Sequence, residues 1–347
     1  MRTQKLPHSE LEVSCVGFGL SGQPSWTPGP ITNDDIDRVS RLMQCALEAG
    51  VTLFDTASPY GLGRSETVMG QVFERAPSLR ERAIVQTKCG QIMTDDDGNL
   101  VTPRIDLSKR EIISSAERSL RRLKRDRIDI LLLHQPTPLM RPEEIVAAFT
   151  ALHESGKVRY FGVSSFSPEQ ITLIQRLFAR RLVVNQVQVS LYHPRRIIDG
   201  MGGTLCVLEH LDLVHQRLSG VATPAVKARH WVPAGDSIID YCRIEGVQVQ
   251  AWSPLRHRLP GAYQPQTDFT TLDARLAKLA RELDVSAHAI ALAWLLKHPA
   301  AIVPIMSTSN PEHIFQNAKA AEIQLSESDW YALLRDAIEA VEAPSGC

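Results

Sequence analysis

Short apolar runs recur eight times along this chain, each followed by a stretch with helical spacing. They are "CVGFGL" (15–20), "VTLFD" (51–55), "AIVQTK" (83–88), "IDILLLH" (128–134), "YFGVSS" (160–165), "LVVNQ" (182–186), "VQVQAW" (247–252) and "AIVPIM" (301–306). Between the first two, "TNDDIDRVSRLMQCALEAG" offers Thr32 as an N-cap, acids in its first turn and Gly50 at its end. "DLSKREIISSAERSLRRLKRD", "RPEEIVAAFTALHESGK" and "SPEQITLIQRLFAR" share its three-to-four spacing of apolar positions. Strands that alternate with helices pair in parallel through crossovers. Near-continuous apolar strands suit a sheet covered on both faces. The pattern therefore predicts an α/β fold, a (β/α)8 TIM barrel. Such a barrel takes about 250 residues, and the chain has 347. The excess predicts a hairpin over 2–14 that closes the barrel bottom, and an insertion between strands 6 and 7 over 195–246. With no internal repeat and no low-complexity linker, 1–347 is expected to be a single domain.

Composition narrows the function classes. A formal net charge of −1 gives no reason to expect nucleic acid or an anionic membrane as a partner. No window is apolar enough to span a bilayer. The start "MRTQKLPHSE" lacks the apolar core of a secretion signal. Cys15, Cys45, Cys89, Cys206, Cys242 and Cys347 form no CxxC pair, so neither a disulfide framework nor a zinc site is expected. His210 and His215 are five apart and do not share a helix face, so they make no metal pair. These features together predict a cytoplasmic protein with no metal.

"GFGLSG" (17–22) matches G-x-G-x-x-G, but three prolines follow before a helix can start. A dinucleotide fingerprint needs a helix that opens within the glycines, so this stretch is read as a first βα loop on the active face. In a barrel the chemistry sits at the C-terminal strand ends. Runs two, three and four end in Asp55, Lys88 and His134; run five ends in Ser164 and Ser165 and run six in Asn185 and Gln186. Run seven ends in Trp252 and Ser253, and run eight leads to Ser307 and Thr308. Singly, each has a structural explanation: a cap, a snorkelling lysine, a satisfied core histidine. Jointly, an acid, a lysine and a histidine on three adjacent strands point to chemistry.

Tyr60 follows strand two in "FDTASPYG" and can reach the barrel axis. A phenol titrates at about 10, and a neighbouring ammonium favours its ionised form. Lys88 is expected to supply that charge and lower the pKa of Tyr60, with Asp55 pairing and holding Lys88. His134 is expected to orient a substrate oxygen against Tyr60. That makes a proton donor suited to carbonyl reduction, and a cofactor must bring the hydride. Trp252, beside Ser164 and Gln186, suits a flat nicotinamide.

"FDTASPYG", "QTKCG", "LLLHQP", "GKVRYFGVSSF" and "NQVQVS" stand in the order and spacing of the aldo/keto reductase superfamily, which the chain resembles from about residue 12 to 320. "DTASPYGLGRSE" is similar to the branch containing bacterial oxidoreductases and potassium-channel β subunits. The resemblance implies an NAD(P)H-dependent reductase with a tetrad of Asp55, Tyr60, Lys88 and His134. It places Gly19, Leu20, Ser164, Ser165, Gln186, Trp252, Ser253 and Leu255 at the cofactor. Ser165 stands where the family has asparagine. "SPLRHRL" resembles the pyrophosphate loop, with Arg256 and Arg258. "STSNPEHIFQN" resembles the adenosine-end segment, with Ser307, Thr308, His313, Gln316 and Asn317. His313 and Ser307 occupy the arginine and lysine positions that hold a 2′-phosphate, yet NADP(H) is preferred on family habit, with NAD(H) possible.

A small-molecule carbonyl or sugar is the expected substrate, met by Tyr60, His134 and Trp26, with Pro138, Leu139, Tyr192 and Trp231 on the surrounding loops. The insertion could close as a lid. Two other readings compete: a cofactor-binding, redox-sensing regulatory subunit with slow turnover, and a lyase using Lys88 as a Schiff-base nucleophile. Asp55 argues against the last by keeping Lys88 charged. No residue pattern sets an oligomeric state.

Overall fold

The computed structural model describes residues 1–22, 29–94, 100–199, 237–255 and 268–342. Twelve strands run through the described residues in chain order: β1 Thr3–Lys5, β2 Glu12–Ser14, β3 Gly17–Gly19, β4 Leu53–Asp55, β5 Ile84–Cys89, β6 Gln91–Thr94, β7 Leu100–Ile105, β8 Ile128–Leu133, β9 Val158–Ser164, β10 Val184–Gln188, β11 Gln248–Trp252 and β12 Val303–Met306. Eight of them close a parallel barrel in the order β3-β4-β5-β8-β9-β10-β11-β12. All eight predicted runs are barrel strands. The "GFGLSG" stretch is β3 and its exit, and the next helix, Asn33–Glu48, starts well beyond the glycines.

Alternation along the strands sorts the side chains. Phe54, Val85, Leu131, Phe161 and Val163 point outward into the core shared with the helices. Leu53, Ile130, Leu132, Val184, Val303 and Ile305 point inward and pack with Leu6, Leu11 and Val13 of the N-terminal hairpin. The expected hairpin is β1–β2, antiparallel with Thr3 opposite Ser14. Gln4 Nε2 ties it to the barrel by donating to Gln248 Oε1 at 3.0 Å.

The first helix, Asn33–Glu48, starts where its predicted cap Thr32 stands. Thr32 and Asp35 form a capping box, and Ser108 and Ser167 accept from Glu111 N and Gln170 N. One element was missing from the sequence reading: the antiparallel ribbon β6–β7 that follows β5. Of the insertion after β10, the helices Arg195–Asp199 and Ile238–Glu245 are described. The expected lid, with His210, His215 and Trp231, lies outside the described residues, as do Trp26, Arg256 and Arg258. No helix among the described residues is long and apolar enough to cross a membrane.

Candidate active site

The local sequence explains how Tyr60 is presented. Asp55 ends β4 facing inward, and the chain then turns tightly. Ser58 N donates to Lys88 O at 3.0 Å, Tyr60 N to Ala57 O at 3.1 Å and Leu62 N to Pro59 O at 3.0 Å. Gly61 and Gly63 carry φ of 57° and 88°, left-handed values that glycine adopts at little cost. The loop folds back over the barrel mouth and drops the Tyr60 hydroxyl within 3.3 Å of Lys88 Nζ.

Lys88 and Asp55 are 1% and 2% exposed. Two charges so deep need further partners to offset desolvation. Lys88 Nζ donates to Asp55 Oδ1 at 2.6 Å, also to Asp55 Oδ2, and to Thr56 O at 3.0 Å. Asp55 Oδ1 accepts in addition from Gln186 Nε2 at 3.0 Å and Gln86 Nε2 at 3.4 Å. Burial pushes the Lys88 pKa down, but the Asp55 carboxylate and the Tyr60 hydroxyl hold it above the ordinary lysine value. An ammonium kept charged in this way has no lone pair to offer a carbonyl carbon, which weighs against the Schiff-base reading.

The lowered phenol pKa expected for Tyr60 is corrected. Burial pushes it up, the Lys88 ammonium pulls it down and the Asp55 carboxylate pushes it up again, leaving it above 10. Pairing with Asp55 neutralises the field that Lys88 would otherwise exert. Tyr60 therefore rests as a phenol, with Lys88 placed to meet charge that develops on its oxygen.

His134 follows β8, its backbone N donating to Cys89 O at 2.9 Å. Its ring meets that of Tyr60 edge-on, with centroids 5.6 Å apart. Burial, with the nearby Lys88 charge, lowers its pKa from 6.5 to about 3. His134 is thus a neutral imidazole. Its Nδ1 has no hydrogen-bond partner among the described residues.

A cavity of about 730 Å³ opens over these groups, lined by Gly19, Asp55, Tyr60, His134, Ser164, Ser165, Gln186, Trp252, Ser253, Leu255 and Ser307. These expected residues come together at one end of the barrel. Leu20 does not line the cavity: its side chain packs in the core, its N donates to Asp55 O at 2.8 Å, and it fixes β3 to β4. Thr308, His313, Gln316 and Asn317 lie outside the lining. Thr308 Oγ1 sits 3.5 Å from His313 Nδ1, and Gln316 Nε2 donates to Glu312 Oε1 at 3.2 Å. Asn317 is buried with Oδ1 unpartnered among the described residues. Tyr192, expected near substrate, donates its hydroxyl to Asp273 at 2.8 Å.

The residues present fit the nicotinamide half of a dinucleotide. A half-buried Trp252 offers a flat face, and Gln186, with both Nε2 hydrogens donated inward, still has Oε1 for a ligand. At the other half, the positions implied for a 2′-phosphate carry Ser307 and His313, and a phosphate prefers a fixed cation. Ser165 holds φ at 62°, a left-handed conformation in which asparagine is easier than serine. Its N donates to Gln186 O at 2.9 Å, and Asn185 Nδ2 steadies the next turn by donating to Phe166 O at 3.1 Å.

Gln86 and Gln250 were missed. They sit one inward layer below the strand ends, two residues before Lys88 and Trp252. Counting back two residues from Lys88 and Trp252, the period of a strand, reaches both.

The profile of the aldo/keto reductase family matches residues 16–202 and 232–336. A 6-dehydroglucose reductase of Agrobacterium fabrum is 31% identical over 334 residues, covering 95% of this chain and 96% of its own. The oxidoreductase YdhF of Escherichia coli is 32% identical over 293 residues, covering 84% and 85%. An aldo-keto reductase from Klebsiella pneumoniae, solved in complex with NADPH, superposes with a TM-score of 0.68 at 22% identity, covering 96% of this chain and 95% of its own.

Proposed function

The chain belongs to the aldo/keto reductase family, and on that premise we propose that it reduces a small-molecule aldehyde, ketone or aldose to the alcohol, with Tyr60 as the proton donor. The observation that carries this is the 3.3 Å contact between Lys88 Nζ and the Tyr60 hydroxyl at the floor of the cavity. A nicotinamide dinucleotide, when bound, supplies the hydride. Trp252, Ser164 and Gln186 bind and orient its ring, with Ser165, Ser253 and Leu255 extending the surface. His134, a neutral imidazole, donates a hydrogen bond to the substrate oxygen and aligns it with Tyr60. Tyr60 then gives up its proton to that oxygen, and Lys88, anchored by Asp55, stabilises the phenolate left behind. A phenol that rests protonated is the form reduction needs. In the reverse direction the same groups take the proton back.

NADP(H) remains the preferred dinucleotide on family habit, and Ser307 and His313 are the positions that decide it. The alternative, a redox-sensing regulatory subunit, calls for slow or vestigial turnover, whereas the tetrad here is complete. The test is a panel of aldehydes, ketones and aldoses followed at the nicotinamide absorbance with NADPH and NADH. At least one should turn over. Tyr60→Phe should lower kcat by about a thousandfold while the dissociation constant of the dinucleotide changes less than about twofold. Turnover that survives the substitution would remove Tyr60 from this role, and binding without turnover on any substrate would favour the sensor.

A further inference from the structure

Beneath the ion pair the barrel carries a polar layer, where such barrels ordinarily stack branched aliphatic side chains. Gln86, Gln186 and Gln250 point inward from β5, β10 and β11, exposed by 0%, 2% and 1%. Gln86 and Gln250 form a reciprocal amide pair: Gln86 Nε2 donates to Gln250 Oε1 at 2.7 Å, and Gln250 Nε2 donates to Gln86 Oε1 at 3.0 Å. Gln250 Oε1 also accepts from Gln186 Nε2 at 3.0 Å. Gln186 lines the cavity, whereas Gln86 and Gln250 do not.

The sense of each amide in this layer follows from the charge above it. An ionised Asp55 accepts only, so it turns Nε2 of both Gln186 and Gln86 toward itself. Those two groups also converge on Gln250, which must answer with oxygen. The Nε2 of Gln250 is then left for Gln86 Oε1. Gln186 spends both of its hydrogens inside the barrel, and the group it keeps for a ligand is an acceptor. Burying three primary amides is costly unless each is paired, and aliphatic side chains would fill the space without that cost. What the amides supply is orientation.

We propose that the reciprocal Gln86–Gln250 pair is a positioning device: it holds Gln250 Oε1 toward Gln186 Nε2 and, together with Asp55, locks Gln186 so that the cavity meets an acceptor oxygen at the end of β10, matched to the N–H of a primary carboxamide. Neither member of the pair touches the ligand. The inference rests on reading the cavity as a nicotinamide site and adds to it the residues that set the polarity of its amide contact.

The test compares dinucleotides by quenching of tryptophan fluorescence. NAD and NADP are titrated beside their acetylpyridine analogues, in which a methyl ketone replaces the carboxamide and has no N–H to give. The unaltered chain should bind the carboxamide form about fivefold tighter than the ketone. Gln250→Leu, similar in volume but without an acceptor, should bring that ratio below about twofold. Gln86→Leu, which frees Gln250 to turn, should do the same and serves if the first variant does not fold, as judged by thermal unfolding. A role in packing alone would weaken both ligands equally and leave the ratio unchanged. A ratio near one in the unaltered chain, or an unchanged ratio in a folded variant, overturns the proposal while the cofactor reading stands. Failure of the unaltered chain to bind any of the dinucleotides overturns both.

Discussion

Lys88 shows how much one side chain depends on its neighbours. It lies inside a barrel, yet it is charged, because Asp55 takes its proton-bearing face and Thr56 O takes another. The same pairing blunts its effect on Tyr60, which is why the phenol stays above its ordinary pKa. Removing either partner of such a pair leaves a buried lone charge, at a cost of about 3–5 kcal/mol. His134 gives a prediction of a different kind. Its folded pKa is depressed from 6.5 to about 3. The unfolded chain therefore binds a proton that the folded chain does not between those values, and stability is complete above 6.5 and lost as pH falls toward 3. His134→Gln should flatten that part of the stability curve, measured by urea unfolding at a series of pH values. A variant whose acid limb matches the parent would show that His134 is not the group responsible. Asp55, Lys88 and His134 were legible from the sequence because each ends an apolar run. The direction of the Tyr60 shift was not, because it depends on three competing fields whose distances only the folded chain defines.

The tyrosine loop leads into the Arg64–Arg75 helix, and that helix must lie very close to the Lys109–Leu123 helix. Gly70 makes the approach possible: a Cβ there would meet Arg122 O at 2.0 Å. The contact brings Glu66, fully buried, to Arg122, whose Nε and Nη2 donate at 2.8 and 2.7 Å, and to Thr87 Oγ1 at 2.5 Å. Thr87 precedes Lys88 on β5, so this outward network braces the strand whose inward face carries the lysine. Gly70→Ala should push the helices apart and destabilise the chain by about 1–3 kcal/mol. Chemical unfolding measures this, and a midpoint equal to the parent's would refute the close approach. The cap at Thr32 was legible as a local motif, because a cap is an arrangement within four residues. The ribbon β6–β7 was not legible: its strands are largely exposed or half-buried, and their pairing depends on each other rather than on an apolar run.

At the scale of the molecule, the barrel has a closed end and an open end. The β1–β2 hairpin plugs the first with Leu6, Leu11 and Val13, which are 0%, 7% and 1% exposed. Burial of this kind contributes on the order of 5 kcal/mol for three aliphatic side chains. Deleting residues 1–14 should lower the thermal midpoint or leave the chain unfolded, whereas an unchanged midpoint would mean that the plug bears no stability. The eightfold alternation of strand and helix determined the barrel by itself, because period and order along a chain suffice to choose a layer architecture. The sequence likewise determined which residues stand at the strand ends, since a strand's inward face is fixed by alternate positions. Closure of the barrel decided the rest. Gln86 and Gln250 are 164 residues apart, and Gln186 and Asp55 are 131 apart. Their partnership depends on opposite walls meeting inside a ring. A linear chain carries no record of distance across that ring, so the polarity of the amide layer and the resting state of Tyr60 belong to the tertiary structure alone.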